Sequence, residues 1–277
     1  MNIKWKIFFK INLLLFIVSS SCYRGIGQAI DSAYIQCIYS YAGIQDSSNI
    51  DMKKHDQFIL RIGKDIADFY SYNSFRVDSL VNNDIINGAS AIEMMANRKK
   101  YGNPGYHYHI LLNYPNGKLT FTDRLVTQRF KYEDDLEAQQ WHILQDTSVI
   151  LKYKVQKATC SFGGRNWIVW FAPDIPISFG PWKFNGLPGL ILSARDDKNY
   201  FHFDIIGLNY LSRKTPIMFD LIKKEVFENV TKNELLKLEY KMNTDPLGFV
   251  NENTGIKIQR ADGSSVPKRN YTPIELY

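Results

Sequence analysis

The chain is poor in the residues that build most recognisable reactive sites. It has three cysteines and five histidines in 277 residues. No Cys-x-x-Cys pair occurs, which excludes a zinc or redox site built on one. No His-Glu-x-x-His run is present, and Ser161, Ser178 and Ser193 stand outside any Gly-x-Ser-x-Gly elbow. No cofactor signature is found, and no cofactor is expected. No apolar run reaches the about 20 residues that a bilayer-spanning helix needs. Internal repeats, low-complexity tracts and Pro/Ser-rich linkers are also missing, so one domain is expected.

An excess of charge is missing too, once the N-terminus is set apart. Residues 1–29 read as a secretory signal: Lys4, Lys6 and Lys10 precede a short apolar core from Ile11 to Val18. Cleavage after Ala29, behind Gly27-Gln28-Ala29, is the favoured processing. Lipidation of Cys22 competes with it, but Ser19 sits where a lipoprotein signal wants an aliphatic residue. Loss of residues 1–29 removes four basic residues and no acidic one, leaving 30 basic against 28 acidic. No basic stripe remains, so nucleic acid is not an expected partner. The protein is expected to work in the periplasm or at the cell surface.

What is abundant is the aromatic and β-branched vocabulary of strands, with 17 Tyr and 17 Phe. Ala33 to Tyr41 is a strand signal. Gly63-Lys64-Asp65 separates two more, and Pro115-Asn116-Gly117 is a strong hairpin turn. Ser148 to Ser161 reads as one long strand, turned by Gly163-Gly164 into Asn166 to Phe171. Residues 78–99 switch to helical spacing, with Gly88 inside them. Thr231-Lys232-Asn233-Glu234 is a capping box that opens a second helix. The expectation is a mainly β (α+β) fold: a curved antiparallel sheet or open barrel with one or two helices, in one domain over residues 30–277.

The densest punctuation is Phe184-Asn185-Gly186-Leu187-Pro188-Gly189-Leu190-Ile191. Pro188-Gly189 is expected at the centre of a type II turn, with Gly189 at positive φ. Gly186, Leu187, Pro188, Gly189, Leu190 and Ile191 match the signature of the GLPGLI family, exported proteins of Bacteroidota-type bacteria. The flanks Phe162-Gly163-Gly164-Arg165, Trp170 to Ile177 and Gly180 to Phe184 resemble that family as well, as does Pro273-Ile274-Glu275-Leu276. The resemblance is sharp over residues 158–208. It implies export rather than a particular reaction.

Three constellations carry candidate chemistry. Trp167, Trp170, Phe171, Phe179, Trp182 and Phe184 crowd into 18 residues, and both faces of the 166–171 strand are apolar. They are core, or they line an apolar cavity, with Arg165 beside them facing an acidic ligand or water. His107 and His109 lie two apart on an expected strand, which is metal-ligand spacing; the plainer reading is two His in place of Tyr on a half-wet strand. Cys37 and Cys160, expected on neighbouring strands, are a disulfide or two buried thiols.

Three functions follow as expectations. The first is non-catalytic binding of an apolar or amphipathic small molecule or lipid. The second is an accessory role beside an outer-membrane transport or secretion complex, docked through the ordered Pro173–Pro188 loop. The third is a metal-dependent hydrolase using His107 and His109.

Overall fold

The computed structural model describes residues 29–219, 226–255, 257–259 and 268–276. The signal segment and Cys22 lie outside them. Twelve strands form one sheet: β1 (Ala29–Ile44), β2 (Lys53–Ile62), β3 (Ala67–Ser71), β4 (His109–Leu112), β5 (Lys118–Leu125), β6 (Gln128–Asp135), β7 (His142–Ile150), β8 (Tyr153–Phe162), β9 (Arg165–Ala172), β10 (Leu190–Asp196), β11 (Phe201–Met218) and β12 (Glu228–Asn229). Their order is β12-β6-β5-β4-β3-β2-β1-β11-β10-β9-β8-β7. All pairs are antiparallel except β12 on β6. The sheet does not close into a barrel. Strand β1 is its seam, because it joins the β2–β6 meander to the β7–β11 meander.

One core cluster draws side chains from ten of these strands, from Leu60, Phe69 and Phe121 on one side of the seam to Trp167, Val169 and Phe203 on the other. A single flat face could not bring them together, so the sheet curls around its core. The helices α1 (Tyr72–Ile86), α2 (Ala91–Tyr101), α3 (Lys232–Thr244) and α4 (Pro246–Asn253) follow at fixed punctuation. Helix α3 starts on the expected capping box of Thr231 and Glu234. It presses Leu235 into the core, and α4 adds Phe249. The helical stretch of residues 78–99 is two helices, since Gly88 takes φ 73° and Ser90 starts α2 with its own capping box to Glu93.

Three local expectations are corrected. The long strand from Ser148 to Ser161 is a hairpin, β7 to β8, that turns at Leu151-Lys152 with Leu151 at φ 54°. Gly189 is not at positive φ; Gly186 is, at 91°. The reason for glycine at 189 is crowding, because a Cβ there would sit 2.3 Å from the carbonyl oxygen of Ala172. Cys37 and Cys160 are free, buried thiols. Their strands are not neighbours, since β11, β10 and β9 lie between β1 and β8. At about 4.8 Å per strand they stand far beyond the roughly 7 Å Cα limit of a disulfide.

Candidate functional site

Lining side chains on the curled sheet follow the strand period. On β5, Leu119, Phe121, Asp123 and Leu125 point to one face, and Asp123 is the polar exception. On α3, Leu235, Glu239 and Met242 share one stripe, and Glu239 is the exception. The two carboxyls meet across a cleft of about 800 Å³, open mouth included. Phe121, Leu125, Trp182, Leu236, Met242 and Ile274 give it apolar walls. Lys54, Tyr106, Lys183, Asn243, Tyr271 and Glu275 add polar groups.

Asp123 and Glu239 are hydrogen-bonded to each other. Both keep partial exposure through the mouth of the cleft, while the protein around them removes most of their hydration. Burial pushes Asp123 up to about 7, offset in part by the Arg124 backbone N–H at 2.7 Å and the Arg124 charge. Burial also lifts Glu239 well above the usual carboxylate range, and the Asp123 charge lifts it further. Two such carboxyls hold protons more readily than free ones do.

Lys183 is almost fully buried and is bound to Glu275 and to the Tyr132 hydroxyl at 2.7 Å, with its ammonium 4.8 Å from the Phe121 ring centre. Burial alone would raise Glu275, but Lys183 and Lys232 more than offset it and hold the carboxyl low. This pair pins the C-terminal tail over the cleft. Arg165 pins the same tail, donating to the carbonyls of Ile274 at 2.9 Å and Pro273, and its guanidinium also pairs with Asp196 at 3.2 Å. Arg165 is therefore a buried clamp and faces neither water nor a bound acid. The loop after β6 clamps the GLPGLI segment from the other side. Gln139 accepts from Asn185 N at 2.9 Å, and the Trp141 indole donates to the Asn185 carbonyl at 2.8 Å.

Of the aromatic cluster, Trp167, Phe171 and Phe184 are fully buried, and Trp167, Trp182 and Phe184 pack ring against ring at 4.9 to 5.6 Å. Trp182 alone of the six reaches the cleft. Trp170 lies on the opposite face of β9, half-buried. His107 and His109 do not converge. His107 precedes β4 and accepts from Arg124 at 2.8 Å, so burial and that cation push it down to about 4. His109 is bound to Asp68, which also holds Arg61. Among the described residues, no group of three or more His, Cys, Asp or Glu is arranged to hold a metal ion.

The family model described as "Protein of unknown function (Porph_ging)" matches residues 162–193, the β8–β9 turn through the start of β10. No curated protein matches the chain. Two solved structures of PNGF-II, in different crystal forms, are similar at 14% identity. One superposes with a TM-score of 0.51 over 77% of this chain and 34% of that one. The other gives 0.49 over 76% and 34%. The likeness at 0.51 is one of fold, and the chain spans only 34% of the length of those proteins.

Proposed function

We propose that this is an exported cell-envelope protein of the GLPGLI type that holds an amphipathic small molecule in the cleft between β5, α3 and the C-terminal tail. The carrying observation is the lining: apolar Phe121, Leu125, Leu236 and Met242 stand beside the half-buried carboxyl pair of Asp123 and Glu239. Apolar walls hold the body of a ligand, and a few fixed polar groups orient its head. The family match over residues 162–193 contains Gly186 to Ile191, and the signal-like character of residues 1–29 is what supports export. The loop of residues 173–188 buries Ile175, Trp182, Phe184 and Leu187 and exposes Pro173, Asp174, Pro176 and Ser178, so any docking to a larger complex would use its first half.

The test is native mass spectrometry with solvent extraction of the mature protein, made in a host that exports it. A discrete adduct or uptake of a fluorescent fatty acid is the expected result. Repeated recovery of an empty protein that takes up no probe would contradict the proposal.

A further inference from the structure

Lys54 is the odd cation of the cleft. Lys183 is bound to Glu275 and Tyr132, and Arg124 is held by Asp78 at 3.1 Å and by His107. Lys54 has only the face of Tyr106, 3.7 Å from its ammonium. No described residue gives it an ion pair or a hydrogen bond. The carboxylates that act on it are Asp56 and Asp123. Asp56 is already engaged, accepting from Asn73 and from the backbone N–H groups of Gln57 and Tyr106, each at 2.8 Å. Asp123 accepts from the Arg124 N–H and is bound to Glu239. The Lys54 ammonium thus faces the cleft with no acceptor among the described residues, which leaves it available to a ligand.

We infer that the head group taken by this cleft is a single carboxylate, which pairs with Lys54 and accepts a hydrogen bond from the carboxyl pair of Asp123 and Glu239. The inference rests on the reading of the cleft as a ligand site. One free cation matches one negative charge. A dianionic phosphate would set its second charge against the carboxyl pair without a counter-ion. An ammonium head would meet Lys54 as a like charge, and an alcohol would leave Lys54 unpaired. The walls ask for an aliphatic body. The ligand class is therefore a fatty-acid-like monoanion.

The same geometry couples binding to a proton. Facing the pair are Lys54 from β2, Arg124 beside it on β5, Lys183 from the loop between β9 and β10 and Glu275 from the tail. Tyr108, Tyr132 and Tyr271 also face it; burial raises all three, so they stay neutral. A ligand carboxylate placed against two carboxyls favours their protonated form, so complex formation takes up a proton at neutral pH.

Isothermal titration calorimetry of the mature protein with dodecanoate, dodecanol and dodecylammonium tests this, run in two buffers of different ionisation enthalpy. Dodecanoate should bind about tenfold or more tighter than the alcohol, the worth of one charged hydrogen bond. The buffer dependence should report proton uptake. Lys54→Gln should remove the preference for dodecanoate over dodecanol, and Lys54→Arg should retain it. Equal affinity for the acid and the alcohol, preference for the ammonium, no proton uptake, or an unchanged preference in Lys54→Gln would each overturn the inference while leaving the cleft as a site. Binding of none of the three would overturn both.

Discussion

At Gly189 a Cβ would meet the Ala172 carbonyl oxygen at 2.3 Å and its carbon at 2.7 Å, and neither backbone atom can swing away. At Gly163 the obstacle is different: φ is 59°, and the nearest atom to a Cβ is Glu275 Cγ at 3.1 Å. Gly163→Ala should therefore cost about 1–2 kcal/mol, the left-handed penalty. Gly189→Ala should cost more, about 3 kcal/mol, because β9 and β10 must part. Thermal melts of both variants check the order, and an equal or reversed order would show that the close approach is not as tight as described. Asp123 gives a second residue-scale expectation. A carboxyl whose folded pKa is raised binds its proton more tightly folded than unfolded. Its contribution is complete below the unfolded value of about 4 and is lost as pH rises through about 7. Wild type should therefore lose stability against Asp123→Asn across that window, read as the difference between their urea midpoints. A difference that is flat in pH would mean that Asp123 is not buried as described.

Elements with chemical punctuation were legible in the sequence. The Asn116-Gly117 turn joins β4 to β5, with Gly117 at φ 77°. Thr231 and Glu234 cap α3, and the two glycines at 163 and 164 turn β8 into β9, both at positive φ. The β7–β8 turn was not legible, because Leu151-Lys152 carries no turn residue and the apolar alternation runs straight through it. Leucine there holds a conformation that costs an L-residue about 1 kcal/mol or more. Its side chain is 51% exposed, so little packing is lost on replacement. Leu151→Gly should raise the melting temperature, worth about 1 kcal/mol. A lowered one would show that the turn is held by contacts of the leucine itself. The site was missed in the sequence, since of Trp167, Trp170, Phe171, Trp182, Phe184 and Arg165 only Trp182 lines the cleft. Glu239 interrupts the apolar stripe of α3 and Asp123 that of β5, and such interruptions are readable. That the two meet is not, because it depends on the curl of the sheet and on where α3 lands.

At the scale of the molecule, the β8–β9 turn, Lys183 and the C-terminal tail act as one closure. Lys183 and Arg165 both reach residues 273–275, and the Leu276 N–H donates to the Gly163 carbonyl at 2.9 Å. The flank of the sharpest motif thus holds the tail over the cleft through Lys183 and contributes to the lining through Trp182 and Lys183, while Gly186 to Ile191 do not line it. This explains why the motif pointed to structure more than to chemistry. A second, outer recess lies beyond Arg124, lined by Tyr70, Phe75, His109 and Phe227. The two recesses share His107, Tyr108, Asp123 and Arg124, so uptake of a ligand alone would not say which is used. Photolabelling with a diazirine-bearing fatty acid, mapped by peptide mass spectrometry, separates them most directly. Labels are expected on Tyr106, Met242 and Tyr271, competed by unlabelled fatty acid. Labels on Phe75 or Phe227, or labels scattered over the surface without competition, would contradict it.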